Sequence, residues 1–208
     1  MTTTIRFLAP VLAAAALLGV ACGADPGAGE ARITLRGVTS VVEMVGPGGE
    51  AVPVRSGQVV EAGERLRVTA GRALLEPAGG GSIELRAGSD VRISSPTELL
   101  AGDAVETAGD EPLTVVSTGT EAEVRGVARV GRSLAFTIAS YQGATEVRSA
   151  GRRVRVPALH RVSIPAFGAV PDRARALVYD VDDPWDRAHL GLAMELTGLL
   201  DARSEGFS

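Results

Sequence analysis

The chain has 208 residues, of which 45% are hydrophobic and only 3% aromatic, with a formal net charge of −4. Every basic side chain is arginine and none of the arginines form a dense run, so the clustered positive charge on which nucleic-acid binding depends is missing. The scarcity of aromatic side chains also argues against platforms on which bases or sugars stack. We therefore expect a protein that binds no nucleic acid.

The N-terminus has the parts of a secretory signal. A short polar start carries Arg6, and residues 7–20 (FLAPVLAAAALLGV) are almost entirely apolar. A permanent membrane-spanning helix needs about 20 apolar residues, which this run does not reach. A positive start, a short apolar stretch and small residues before a cleavage point are typical of an export signal. The sequence predicts a signal peptide over residues 1–21.

The residues around the only cysteine resemble a bacterial lipobox, in which a diacylglycerol is attached to the cysteine thiol before cleavage. The segment at 18–23 reads LGVACG, and its Val-Ala-Cys portion fits the pattern. Gly19 departs from it, because a branched aliphatic residue is preferred at that position. We predict that Cys22 is lipidated; the alternative is an ordinary signal cleaved near Ala21, with an incidental cysteine.

Lipidation also explains an unpaired thiol in an exported protein. A single cysteine forms no intramolecular disulfide, so the fold must depend on its hydrophobic core. The expected location is the extracytoplasmic face of the cell membrane, held by the lipid. Residues 22–32, which are small, polar and rich in Gly, then form a flexible tether.

Residues 33–168 have the pattern of an all-β domain. Apolar and charged residues alternate in short runs such as RLRVT at 65–69, SIELR at 82–86 and DVRIS at 90–94, and Gly-containing turns separate them. Alternation with a period of two is the signature of half-buried strands. Two architectures fit: an antiparallel sandwich, jelly-roll-like and rich in Gly turns, or a short β-solenoid.

Five short segments, in order, resemble the FecR domain, an extracytoplasmic module named after the iron-dicitrate transport regulator. They are AGERLRVT at 62–69, GSIELRAGS at 81–89, LLAGDAV at 99–105, LTVVSTGTEAEVRG at 113–126 and YQGATEV at 141–147. The resemblance covers about residues 37–165. The sequence departs from the family at Val127, where Thr is expected, at Arg129, near which the family has an aromatic residue, and at Leu159-His160, where a Gly is expected.

This resemblance implies an interaction module rather than an enzyme. The best-known members of the family carry a cytoplasmic anti-sigma helix bundle and a transmembrane helix, whereas here an export signal and a lipid precede the domain. We expect a non-catalytic, membrane-tethered envelope sensor or scaffold with a protein partner in the envelope. Two alternatives are a FecR-type component of iron-uptake or sigma-factor signalling and the N-terminal anchoring part of a larger envelope protein. The ligand and the oligomeric state stay open.

The C-terminal segment, residues 169–208, changes to a helical pattern. Asp183 is placed as an N-cap, and Pro184 fits the first helical position because its missing N–H needs no partner there. Apolar residues then recur at steps of three or four, at Trp185, Ala188, Leu192, Leu196 and Leu199. We predict an amphipathic helix over residues 184–202.

Candidate catalytic and metal-binding residues are few. His160 and His189 lie in no catalytic or zinc-binding motif, so we predict no enzymatic activity and no cofactor. The acidic cluster Asp180, Asp182, Asp183 and Asp186 offers oxygen ligands of the kind that Ca²⁺ prefers, but its spacing matches no EF-hand. The alternative is that these acids cap the helix and complement its positive N-terminus.

Arginines also alternate along the predicted strands, at Arg65, Arg67, Arg86, Arg92, Arg125, Arg148, Arg153 and Arg155. Lined up on one face, they could bind a polyanion. Glutamates are interspersed with them, however, so the sequence favours cross-strand ion pairs on a solvated face.

Overall fold

The computed structural model describes residues 30–165 and 170–191, apart from the side chains of Gly37 and Val38. Within these ranges the chain forms thirteen strands and one helical segment, α1, at 184–191. The strands are β1 (Ala31–Val45), β2 (Ala51–Pro53), β3 (Val59–Val60), β4 (Arg65–Pro77), β5 (Ser82–Arg86), β6 (Asp90–Arg92), β7 (Thr97–Thr107), β8 (Leu113–Ser117), β9 (Thr120–Arg132), β10 (Ala135–Ser149), β11 (Arg152–Pro157), β12 (His160–Pro165) and β13 (Arg175–Ala176).

Several sequence-based assignments lie outside the described residues. They are the signal peptide at 1–21, the lipidation site Cys22, nearly all of the tether and the end of the predicted helix at 192–202. The helix does begin at Pro184, where the Asp183-Pro184 pair predicts its start. In the described part of the chain, no helix has the length and apolar character needed to cross a membrane.

Burial alternates along the strands as the sequence predicts. Ile83 and Leu85 of β5 are buried, with half-buried residues on either side of each. Val162 and Ile164 of β12 are buried between exposed neighbours. Because successive side chains of a strand point to opposite faces, one face of each strand packs into the core and the other carries arginine, glutamate and serine.

The long strands exchange partners partway along their length and thereby belong to two layers. β7 pairs with β6 through its first half and with β5 and β9 through its second half. β10 pairs with β12 through its first half and with β11 through its second. Strands that change layers at bulges or bends make the corners of folded sheets.

We call the two layers layer 1 and layer 2. Layer 1 contains β2, β6, β8 and β11, together with the second parts of β1 and β10 and the first parts of β4, β7 and β9. Layer 2 contains β3, β5, β12 and β13 with the remaining parts of the long strands. Because β5 and β6 each pair with both β4 and β7, they close a small barrel-like corner.

Two glycines face each other where β9 and β10 bend. Gly126 (φ 127°) and Gly143 (φ 72°) are register partners. A Cβ on Gly143 would lie 1.8 Å from the Arg125 carbonyl oxygen, and a Cβ on Gly126 would lie 2.4 Å from the Gln142 carbonyl oxygen. Only glycine combines this backbone conformation with this approach, so the pair keeps the two strands hydrogen-bonded through the bend.

The hydrophobic core lies between the two layers. One continuous cluster of buried side chains combines Leu66, Val68 and Val147 of layer 1 with Leu75, Phe136 and Ile138 of layer 2. Apart from a short parallel pairing of β7 with β8, the described strand pairs are antiparallel. The all-β prediction is confirmed, and of the two architectures considered, the layered antiparallel one describes these strands.

The chain returns to the β fold after β12. Val170 is only 2% exposed and belongs to the core cluster, and β13 adds to the edge of layer 2 by pairing with β12. Residues that the sequence analysis assigned to the C-terminal segment 169–208 thus contribute to the β domain before α1 begins.

Glu106 of β7 is a charged residue type within the core. It is fully buried, its register partners Ile83 and Ala128 are buried too, and neither of its carboxylate oxygens has a hydrogen-bond partner among the described residues. Burial raises the pKa of Glu106 to about 8, because a desolvated carboxylate is costly. The side chain is therefore held protonated in the folded protein at neutral pH.

This burial predicts a specific pH dependence of stability. Between the ordinary pKa of about 4.5 and the folded value of about 8, the folded protein holds a proton that the unfolded chain releases, so the free energy of unfolding falls as pH rises. Glu106→Gln removes this component. In denaturant titrations, we expect the free energy of unfolding of the native protein to fall between pH 5 and pH 8 relative to that of the variant. The difference should be about a few kcal/mol.

The exposed Glu76 on β4 provides the matched control, and Glu76→Gln should leave the pH profile unchanged. A Glu106→Gln profile parallel to that of the native protein would show that Glu106 is not the group responsible.

Candidate functional site

The outer face of layer 2, the face turned away from the core, carries both an apolar cluster and a cleft lined by charged side chains. Helix α1 and the strand-free segment before it cover one half of this face. A second apolar cluster lies there, formed by Val105, Tyr141, Trp185 and Leu190. The covered half is thus closed by its own small core, and the other half is an open cleft.

Trp185 joins α1 to layer 2. Two guanidinium groups lie over its ring, with the Arg86 Cζ 4.7 Å and the Arg129 Cζ 5.6 Å from the ring centroid. Its indole N–H donates to Glu84 Oε1 at 3.0 Å. Cations over the face of tryptophan are attracted by the ring, so both the face and the edge of Trp185 hold the helix in place.

Asp183 completes this contact from the start of the helix. Its Oδ2 accepts from Arg86 at 3.1 Å and from Arg129 at 2.9 Å, and its Oδ1 accepts from the Trp185 backbone N–H at 2.9 Å. Burial opposes ionisation, but the Trp185 N–H and the two guanidinium groups outweigh it and hold the pKa of Asp183 below its usual range. Asp183 is therefore both the helix cap and the anion between two arginines.

Asp186 and Tyr141 form a second link. The Tyr141 hydroxyl donates to Asp186 Oδ1 at 2.6 Å, and Asp186 Oδ2 accepts from the Asp180 backbone N–H at 3.0 Å. Burial and the hydrogen bond to Asp186 raise the pKa of Tyr141. His189 stacks on the Tyr141 ring with centroids 5.0 Å apart, and burial lowers the pKa of His189.

The predicted acidic cluster is thus divided among different tasks. Asp183 and Asp186 accept hydrogen bonds from protein donors, whereas Asp182 is exposed and donates its backbone N–H to Asp180 Oδ1. Within residues 30–165 and 170–191, no three acidic, histidine or cysteine side chains are arranged to hold a metal ion. His160, the other predicted candidate, contacts the Ala158 carbonyl oxygen through Nδ1 at 2.9 Å.

The open half is a cleft of about 620 Å³ between layer 2 and residues 171–180. Its floor contains a cross-strand row of register partners running from β9 to β13: Arg129, Ala139, Arg161 and Arg175. The adjacent row contains Thr137 and Ser163, which are also register partners. Residues directly opposite on neighbouring strands lie on the same face, so these arginines and hydroxyls line one surface.

The arginines of this cleft differ from most of those on the strands. The cross-strand ion pairs that the sequence favours are present at Arg65, Arg67, Arg86, Arg92 and Arg148. Arg125 pairs instead with Glu123 of its own strand, β9. Arg153 and Arg155 on β11 are exposed and form no ion pair with described residues. In the cleft, Arg129 is paired with Asp103 and Asp183, but Arg161, Arg173 and Arg175 form no ion pair in the described part of the chain.

The sequence pattern does not indicate Arg161, Arg173 or Arg175 as site residues. The alternating RARA at 173–176 is a strand-like signal too short to assign. Pairing of Arg175 with Arg161 depends on the return of the chain to β12, which local periodicity does not encode.

The sequence matches no known protein-family model and no curated protein at a significant level. Among solved structures, the fold is similar to two crystal structures of a "putative anti-sigma factor" from Parabacteroides distasonis. The TM-scores are 0.42 and 0.36, with 17% and 16% sequence identity, and each match covers 57% of this chain and 58% of the other. The chain thus spans a little over half the length of these neighbours.

The contacts of Asp183 predict that its substitution loosens α1 from layer 2. Asp183→Asn keeps an oxygen for the cap but removes the anion between Arg86 and Arg129. We expect a loss of about 2 kcal/mol of stability, typical of hydrogen bonds to a charged group, and a red shift in emission from Trp185, the only tryptophan. Because the pKa of Asp183 is lowered, acidification of the native protein below its ordinary value of 3.8 should cause the same red shift.

Asp182→Asn removes one acid from the neighbouring exposed position and is the matched control, with emission expected to stay as in the native protein. Equal red shifts in the two variants would contradict a specific role of Asp183.

Proposed function

We propose that the protein is a non-catalytic FecR-like interaction module, tethered by a lipid on Cys22 to the extracytoplasmic face of the membrane, where it acts as an envelope sensor or scaffold. The observation that carries the proposal is how close the first described strand lies to Cys22 in the sequence. β1 starts at Ala31 and is paired with β3 and β4 from its first residue. Only residues 23–30 separate this strand from the cysteine.

This short spacing limits where the module can act. Eight residues span at most about 3.6 Å each when fully extended, or about 30 Å in total. A lipid on Cys22 would therefore keep the β domain within about one domain diameter of the membrane surface. A partner in the same membrane, or close to it, is within reach of a module held in this way.

The FecR resemblance supports the type of module. The segments that carry it fall on successive parts of one β framework: 62–69 leads into β4, 81–89 covers β5 and the following turn, and 141–147 lies in β10. These segments contribute to both layers and to the strand bends. The resemblance therefore concerns the framework on which a binding surface would be displayed.

Binding rather than chemistry is supported by how the polar groups are used. The side chains of Asp183 and Asp186 are 11% and 6% exposed, and both accept hydrogen bonds from other residues of the protein. Their arrangement fixes α1 on layer 2. An open cleft with cationic side chains beside this fixed helix offers a preformed surface for a ligand.

The tether is tested by Cys22→Ala. We expect metabolic labelling with a fatty-acid analogue to label the native chain and leave the variant unlabelled. The native protein should fractionate with membranes and be released by detergent, while the variant should lose this association. Because the chain has no second cysteine, the label reports on this position alone.

Gly27→Ala, a change within the tether, is the control and should leave both labelling and fractionation unchanged. Equal labelling of native and Cys22→Ala chains, or membrane association that survives the loss of the cysteine, would overturn the lipid anchor.

A further inference from the structure

We propose that the open cleft on layer 2 is a binding site for an acidic peptide segment of a partner protein, recognised through its carboxylates by Arg161, Arg173 and Arg175. This inference gives the proposed interaction module its site and the chemistry of its partner. It rests on the proposed binding role but is independent of the lipid on Cys22.

The first argument is electrostatic. Arg161 and Arg175 are direct cross-strand partners, both exposed, and like charges directly opposite each other destabilise a sheet. Neither arginine forms an ion pair with an acid of the described residues, although Asp103, Asp180 and Asp186 also line the cleft. A bound anion would therefore relieve the repulsion between the two guanidinium groups.

The acids near the cleft are committed elsewhere. Asp103 pairs with Arg86 and Arg129, and Asp186 accepts from the Tyr141 hydroxyl and lies 3.8 Å from Arg129. Asp180, which also lines the cleft, accepts the Asp182 backbone N–H. Each of these acids is held by atoms other than the three unpaired guanidinium groups.

Asp172 is the acid nearest in sequence to the cleft arginines, and it too is turned to another partner. It forms an ion pair with Arg152 at the start of β11. Arg173, the next residue, therefore lacks its neighbour's carboxylate, and all three cleft arginines keep their charges available for a ligand.

The remaining lining fits a peptide better than a simple ion. Thr137 and Ser163 add hydroxyl groups beside the arginines, and Leu177 and Val178 add apolar surface on the opposite wall. Guanidinium groups bind carboxylates through two parallel N–H···O bonds. The row from β9 to β13 crosses three strand spacings, about 14 Å, which an extended peptide of about four residues would match.

The test uses the full mature chain in detergent and a fluorescently labelled peptide with four consecutive glutamates flanked by leucines. We expect saturable binding by anisotropy, and binding at least about tenfold weaker to the Arg161→Gln/Arg175→Gln variant, since it loses two charge-assisted contacts. The matched control is Arg153→Gln/Arg155→Gln, which removes two exposed, unpaired arginines from β11 and should retain native affinity.

Several outcomes would overturn the proposal. Three of them concern the variants and the peptide: no binding of the glutamate peptide, equal weakening in the cleft and β11 variants, and no weakening in the cleft variant. The fourth is a lack of selectivity, in which a glutamine peptide competes as well as the glutamate peptide and vesicles of phosphatidylglycerol or inorganic phosphate bind in the same way. Failure of the lipid-anchor experiment alone would leave this result standing, because the binding measurement needs no membrane.

Stability gives a readout that does not depend on which peptide is used. Because Arg161 and Arg175 repel each other, Arg175→Gln should keep or slightly raise the melting temperature, and the glutamate peptide should raise that of the native protein more than that of the variant. A clear drop for Arg175→Gln without peptide would show that the arginine stabilises the fold, contrary to the proposal.

Discussion

The close approach of β9 and β10 at Gly126 and Gly143 is the constraint on which the rest of the structure depends. Any side chain on either residue would collide with a backbone carbonyl oxygen of the facing strand. Because neither glycine has a side chain, the two strands remain paired on both sides of the bend. This lets one continuous hydrogen-bonded sheet fold over itself and bury both of its inner faces in a single core, with no disulfide to assist it.

The bend also determines where the candidate site lies. Beyond it, β9 and the first half of β10 run side by side in layer 2 and present Arg129 and Ala139 outward in one row. α1 covers one end of this row through Trp185, and residues 171–180 border the other. Arg129 stands at the boundary, paired with acids on the covered side. The same face is therefore a folded interface at one end and an open surface at the other.

The sequence predicts much of the framework because strand patterns are local. Alternation at 82–86 and 90–94 corresponds to β5 and β6, and Asp183-Pro184 marks the start of α1. What local patterns do not contain is long-range placement. The meeting of Arg86 and Arg129 at Trp185 joins residues far apart in the chain.

Two further features cannot be predicted from the sequence for similar reasons. The sequence predicts that Glu106 faces solvent, because a charged residue in a strand normally does. Its burial becomes evident only when the residues of the neighbouring strands are known. The arginines of the cleft come together only because Arg175 returns to pair with Arg161. Their chemistry is visible in composition, but their juxtaposition is a property of the topology.

The position of β1 has a mechanical consequence. Its first residue is the described strand residue nearest in sequence to Cys22, and the strand lies against β4 from Ala31 to Val45, through both layers. If the chain is held at Cys22 while a partner pulls on the cleft near β12 and β13, the tension enters the fold at β1 and leaves it at the opposite edge of layer 2. It must then cross every strand pair between β4 and β12. A tether at this end of the chain would thus place the whole of layer 2, rather than one strand pair, between the anchor and the partner.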